Sequence, residues 1–494
     1  MKLANLVVPV FFTLSLAASC GRYDPAVSTE MPPIWPDYTD VAIPSGIAPL
    51  NFGPADSIDA HRIRVEVNNA EGKTVMKSNG LSARFPVRRW HKVLRDAAGT
   101  SLTFKVDMKT DNGWTRYQPF NMHISTDPID FGLTYRLIPP GYQSFGHMGL
   151  FERNLSNFRQ RELLDTRMLE SGCINCHSQN RTDPSTYSFH VRGAHSATVV
   201  RHSGQAECLN TMTDSTGGFY VNPYWHPSGE YTAYSVNSTR QSFYSSADKM
   251  LEVYDEKSDV IVYRPATHSV LRPKLTNLPE VFETWPAFSA DGRTLYFCES
   301  PFGRLPRDAR KMKYSLCSLA FDPETGSFGE KKDTLLNASD LDMSFAQPRP
   351  SYDGKYILVT AARFGTFLIW HKEADLWLYN IETGEFYPAG GINSNDTESF
   401  HNWSSNSKWA VVASRRDDGV YTRLYLAHMN TDGRFDKAFL LPQKNPARYY
   451  SEQIHSYNTP DFTSGKVQLD RHSVRKMVMS SNRQRVSLET IKPQ

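Results

Sequence analysis

Residues 171–180 read SGCINCHSQN: two cysteines separated by two residues, with a histidine directly after the second. Each thiol of Cys-x-x-Cys-His can add to a vinyl group of a porphyrin, and the histidine then lies beneath the iron as its axial ligand. With only 6 Cys and 15 His in the chain, composition would yield this pentapeptide by chance in roughly two chains per thousand of this length. The spacing predicts one covalent haem c, with Cys173 and Cys176 as the thioether residues and His177 as the proximal ligand. Two other chemistries stay open. A zinc half-site needs two further ligands at similar spacing, and no second CxxC or HxxxH appears. A thioredoxin-like redox pair wants a βαβ context, which the surrounding pattern lacks.

For the other face of the iron, FHVRGAHSATVVRH supplies His190 and His195 as the preferred ligands, with an open sixth position as the alternative. Arg192, between them, can pair with a haem propionate, because a guanidinium recognises carboxylates in bidentate fashion. No Gly-x-Ser-x-Gly elbow, His-Glu-x-x-His or phosphate-binding glycine loop accompanies the motif, so electron transfer or binding is expected ahead of an enzymatic role.

The elements that must position this motif begin with an export signal. MKLANLVVPVFFTLSLAASC has a positive start at Lys2, a short apolar run, and small residues Ala17 and Ser19 ahead of Cys20. Residues 1–20 are read as a lipoprotein signal with lipidation at Cys20, giving a membrane anchor and a place in the cell envelope, on the periplasmic side of the outer membrane. Covalent haem attachment happens outside the cytoplasm, which agrees. The 55 basic and 52 acidic residues leave a formal charge of +3, so no global field points to nucleic acid, and a redox partner or envelope protein is expected instead.

Residues 21–46, rich in Pro and Asp, read as a flexible tether. From 47 to 140 short alternating runs such as HRIRVEVNN and SLTFKVDMKT, parted by turn clusters, predict a β-sandwich. The period then changes. SNFRQRELLDTRMLESG carries Phe158, Leu164, Met168 and Leu169 at helical spacing, so residues 141–182 are read as a helical haem-bearing segment. Beyond it a pattern of Pro, aromatic, small residue and Gly recurs at intervals of about 60 residues, in PYWHPSGEYTAYS, PAFSADGRTLYFC, PRPSYDGKYILVT, HNWSSNSKWAVVAS and PDFTSGKVQL. Strand–turn–strand units at that period predict a β-propeller over 183–480, six-bladed with seven as the alternative; its sixth blade would join residues near 187–201 to the C-terminal strands. The fold class is therefore all-β. Residues just ahead of each repeat would line a channel mouth: Asn222, Glu283, Gln347, Glu398 and His401. Cys298 and Cys317 lie in strands of one blade, either as a disulfide or as two buried thiols.

CINCHSQN, FHVRGAHSATVV, NPYWHPSGEYTAYSVN, ETWPAFSADGRTLYFC and FHNWSSNSKWAVVASRR together resemble exported TolB-like, WD-repeat-like propeller lipoproteins of Gram-negative bacteria that carry a single CxxCH motif. The resemblance runs from about residue 37 to residue 462. It implies a propeller fold and a c-type haem, and says little of biochemical activity; the lipoprotein-handling role of true TolB, which lacks the motif, does not carry over.

Overall fold

The computed structural model describes residues 23–141, 147–170, 172–213, 218–246 and 249–489. The signal segment and Cys20 lie outside the described residues. Among those described, no helix is long and apolar enough to cross a membrane.

The N-terminal unit is one seven-stranded sheet with a helix against it, where the alternating runs predicted a sandwich of two sheets. Arg62–Asn68 and Ser101–Thr110 pair antiparallel at its centre, and Val65, Phe104 and Val106 alternate into the core. The helix Val87–Asp96 turns Trp90, Val93 and Leu94 inward, one apolar stripe at the spacing a helix requires. Trp90 stacks on Phe85 at 5.2 Å, and Phe85 meets Phe104 of the sheet.

Among the described residues, the strands beyond this unit form six sheets of four antiparallel strands, two of them extended by a short parallel edge strand from the C-terminal segment. The sheets begin with the strands Cys173–Gln179, Tyr220–Trp225, Val281–Phe288, Ser344–Pro350 and Glu398–Trp403. The sixth is composite. Gly132–Ile138, Gly149–Asn154 and Gln160–Asp165 are completed by the C-terminal strand Ser456–Thr463, which pairs with Gly132–Ile138 from Leu133↔Phe462 to Ile138↔Ser456. These six strands touch in turn, and the last two contacts, Glu398–Trp403 with Ser456–Thr463 and Ser456–Thr463 with Cys173–Gln179, bring the series back to its start.

Several expected boundaries therefore move. Residues 132–138 belong to the composite sheet and not to the N-terminal unit. Tyr187–Arg192 and Ala197–His202 belong to a sheet begun by the CINCH strand; the C-terminal strand Gln484–Arg485 joins that sheet at its far edge, whereas Ser456–Thr463 completes the composite sheet instead. The helix expected ahead of Cys173 is absent. Asn154 Oδ1 accepts the Ser156 amide at 2.8 Å, and Asn157 Oδ1 accepts the Arg159 amide at 2.8 Å, so these side chains close a turn between two strands. Gln160–Asp165 then pairs back on Gly149–Asn154, and only one 3₁₀ turn, Thr166–Leu169, precedes the motif. Local helical spacing has yielded to a strand partner.

Each of the six strands carries the same irregularity. Cys176, Asn222, Trp285, Gln347, Phe400 and Thr459 have left-handed backbones, with φ between 42° and 56°. The pairing register skips at or opposite each of them. A bulge of this kind re-aims the side chains that follow it, and a non-glycine residue in this region costs of order 1–3 kcal/mol. The next residue is His177, Pro223, Pro286, Pro348, His401 or Pro460. The CINCH stretch is thus the sixth copy of the repeat, with Cys-His where most other strands place a residue followed by Pro.

Candidate functional site

All six bulge residues line one central cavity of about 230 Å³. It is walled by Trp285, Phe367 and Phe400, and Thr239, Gln241, Leu251 and Val253 of an unusually long hairpin border it. Cys176 and His177 stand on its rim together with Arg136 and Arg192.

His177 is held by the Thr459 hydroxyl and by the backbone of Thr134. Its Nδ1 meets the Thr459 hydroxyl at 3.2 Å, whereas its Nε2 is buried without a hydrogen-bond partner. Burial, and then the charge of Arg136, hold this imidazole down to about 3, so it is neutral at physiological pH. A hydroxyl fixing one ring nitrogen while the other stays free for a ligand bond is how metal-ligating histidines are commonly oriented. Cys173 and Cys176 are half-buried free thiols. Cys173 Sγ lies 3.3 Å from Met148 Sδ and accepts from Asn175 Nδ2 at 3.0 Å.

Arg136 approaches this group from the composite sheet. Its guanidinium donates to the Ile174 carbonyl at 2.9 Å, to Asn175 Oδ1, and to Asn458 Oδ1 at 2.9 Å, leaving Nε buried and unpartnered. Burial lowers its pKa; the Cys173 and Cys176 thiols oppose that shift, and Arg192 adds to it. Arg192 pairs in register with Cys173, and its Nε is likewise buried with no partner. Sequence reasoning singled out Arg192 and missed Arg136, whose only signal is an arginine in the alternating run GLTYRLI.

The remaining expected residues divide. His190 is buried opposite Asn175, with Nδ1 3.0 Å from the Thr198 hydroxyl and its ring against Phe219; burial and then Arg192 hold it down to about 3. It does not line the cavity. His195 sits at the surface, 3.2 Å from Glu170, so neither preferred second ligand is brought beside His177 in the cavity wall. Asn222, Gln347 and His401 do line the cavity, and Glu283 and Glu398 do not. Glu398 is fully buried, 3.0 Å from Arg416 and bonded to the Ser394 and Ser414 hydroxyls, a structural network behind the channel. Glu283 is buried with both carboxylate oxygens unpartnered, and burial, then Asp259 and Glu299, push it up to about 8. His401 spends its Nε2 on the Leu358 carbonyl at 2.8 Å. Asp255, which the sequence did not mark, lines the cavity with its carboxyl pushed up to about 7 by burial.

Cys173, Cys176 and His177 are not arranged as the ligands of a single ion. Among the described residues, the only His, Cys, Asp or Glu cluster converging within 4.8 Å is His147, Glu162 and Asp165, and Arg167 already pairs with Asp165 at 2.9 Å. Cys173, Cys176 and His177 do not converge in this way, as one bound zinc would require. Nor do the two thiols form a disulfide. Cys298 and Cys317 are also free: Cys298 lies opposite Leu316 and Phe297 opposite Cys317, so the two thiols point to opposite faces of the sheet.

No family model and no curated protein matches the chain. Solved structures it is similar to include prolyl oligopeptidase B from Galerina marginata, at 12% identity and a TM-score of 0.35, over 63% of this chain and 44% of that one. A puromycin-hydrolyzing peptidase of Mycobacterium tuberculosis matches at 13% identity and 0.35, over 63% and 54%, and an oligogalacturonate lyase in complex with manganese at 12% and 0.34, over 63% and 74%. The chain thus spans about half the length of these peptidases. At identities and TM-scores this low, the likenesses carry nothing about this chain's chemistry. What the structure itself defines, among the described residues, is a mostly β protein with six sheets built on four antiparallel strands around a largely apolar cavity lined by Cys176 and His177.

Proposed function

We propose that this chain is an exported, lipid-anchored monohaem c-type cytochrome whose six sheets are the blades of a closed, TolB-like β-propeller. Its role is electron transfer in the cell envelope, with the propeller docking a redox partner or another envelope protein. The observation that carries this reading is the half-buried, neutral His177, with Nδ1 held by Thr459 and Nε2 without a hydrogen-bond partner, on the cavity wall beside Cys176, Arg136 and Arg192. In that arrangement Cys173 and Cys176 would tether the porphyrin, His177 would ligate its iron, and Arg136 or Arg192 would take a propionate. The haem supplies one-electron chemistry; the chain's residues hold it, keep His177 unprotonated and limit water. The cavity is smaller than a porphyrin, so part of the ring must lie outside it, as an edge that donates to a docked partner would. Lipidation at Cys20 would place the protein on the periplasmic face of the outer membrane.

A second reading rests on the repeat. Cys176 and His177 occupy the bulge position that Thr459 and Pro460 occupy in the adjoining strand, so the propeller can be a binding scaffold in which a haem is structural. A redox titration followed in the visible spectrum separates the two. Electron transfer requires one reversible one-electron transition that a purified envelope redox protein can drive; a haem that no such donor reduces would favour the scaffold.

A further inference from the structure

Apart from His177 Nε2, the polar atoms left unpartnered around the cavity share one character. Arg136 Nε, Arg192 Nε, Gln347 Nε2 and Trp370 Nε1 belong to cavity-lining residues, are buried, and are all hydrogen-bond donors. Among the described residues neither Arg136 nor Arg192 forms an ion pair, although each lowers the pKa of a nearby histidine and Arg192 lowers that of Arg136. Asp255 and Asp461 also line the cavity, yet neither is ion-paired with these arginines, and two cations facing one partly enclosed space without a bonded counter-charge is a costly arrangement unless an anion completes it. The walls beside them are aromatic: Trp285, Phe367 and Phe400.

We propose that the central cavity binds a carboxylate attached to a small apolar body, the carboxylate held by Arg136 and Arg192 and the body packed on Trp285, Phe367 and Phe400. Size agrees. A cavity of about 150 Å³ accommodates benzene, so about 230 Å³ holds one ring and its carboxylate. Guanidinium forks suit a planar carboxylate, and an apolar body gains from leaving water. The carboxylate has two sources, a propionate of the attached porphyrin or a free organic acid. The site stands without the haem, and the porphyrin source alone rests on the reading above.

The test uses the full chain in two forms: the protein as purified and the Cys173→Ser/Cys176→Ser variant, which cannot attach haem. Each is titrated with benzoate, with toluene as the uncharged control, by calorimetry and thermal shift. The expected result is saturable benzoate binding to the Cys-to-Ser form, weakened tenfold or more by Arg192→Met and not reproduced by toluene. Binding lost on haem attachment assigns the site to a propionate; binding kept in both forms assigns it to a free acid. Arg192→Met is preferred because Arg136 also ties three backbone and side-chain groups; should it fail to fold, Arg192→Lys serves, with a smaller expected loss. If the chain as purified holds no haem, it replaces the Cys-to-Ser form and the test stands unchanged. No saturable benzoate binding to the haem-free chain, or binding that Arg192→Met leaves unchanged, overturns the proposal.

Discussion

The Thr459 hydroxyl lies 3.2 Å from His177 Nδ1, joining the last inner strand of the ring to the first. Both residues stand at the bulge of their strands, so closing the composite sheet is also what orients the histidine. Folding and site assembly are one event here. The C-terminal strand supplies the hydroxyl that His177 Nδ1 meets.

Thr459→Val keeps the shape and removes the hydroxyl. The expected cost in stability is about 1 kcal/mol, the usual net worth of one hydrogen bond. A larger effect is expected at the site, because the freed ring can rotate. In a haem-loaded protein this would show as a shifted reduction potential and altered reduced bands; an unchanged spectrum would mean that Thr459 does not orient the ligand.

The long hairpin Thr232–Ser246 and Lys249–Arg264 is fastened beside the cavity by a buried ion pair, Glu252 with His371 at 3.1 Å. Burial alone would lower the His371 pKa, but hydrogen bonds to Glu252 and Glu373 outweigh it and the net shift is upward. Burial would raise Glu252, yet His371 and Lys249 bring it below its usual range. The His371 contribution is complete below pH about 6.5 and is lost as pH rises through its raised folded value; that of Glu252 is complete above about 4.5 and is lost as pH falls through its lowered one. Urea unfolding should therefore show the largest advantage of wild type over Glu252→Gln between about pH 4.5 and 6.5. A difference that grows above pH 8 would contradict the pairing.

Asp255 behaves in the opposite sense to an ion-paired acid. Its carboxyl is raised to about 7 by burial, against hydrogen bonds from Asn237 and Tyr314. The folded state thus favours the protonated acid, and stability falls as pH climbs from about 4 to 7. Asp255→Asn should match wild type near pH 4 and exceed it above pH 7, by up to about 4 kcal/mol at 1.36 kcal/mol per pKa unit. Equal stability at both pH values would show that water reaches the group.

Glu398 separates a structural carboxylate from a site residue. Removing it leaves Arg416 and two serine hydroxyls without their partner in the interior. Glu398→Ala is expected to cost about 3–5 kcal/mol, seen as a lower unfolding midpoint, with cavity binding unaltered in the fraction that folds. Weakened cavity binding at full stability would return it to the channel mouth.

Much of this architecture was legible in the sequence because it repeats. Pro286, Pro348 and Pro460 with their aromatic and glycine neighbours mark inner strands whose bulges are real. The sixth copy was hidden: Cys176-His177-Ser178-Gln179 keeps the bulge but lacks both the proline and the aromatic, so chemistry drew attention away from its place in the series. Leu164, Met168 and Leu169 share a helical spacing, yet the Asn154–Arg159 turn and a waiting strand partner make the segment β. Residues ahead of a repeat were expected at the channel mouth; Asn222 and Gln347 are themselves bulge residues and line the cavity, whereas Glu283 and Glu398 stand two residues before the bulges at Trp285 and Phe400 and do not. Arg136 could not be foreseen, because it reaches the motif only through the pairing of residues 132–138 with the C-terminal strand.

The central claim is that Cys173 and Cys176 carry a haem on His177. The most direct test is to produce the full chain in cells that mature c-type cytochromes, denature it, and measure haem stain and intact mass. One haem per chain surviving denaturation is predicted, absent from Cys173→Ser/Cys176→Ser and retained with altered reduced bands in His177→Ala. A chain whose mass shows no haem in such cells would contradict the claim, leaving a mostly β protein whose CINCH stretch is only the sixth copy of a repeated strand.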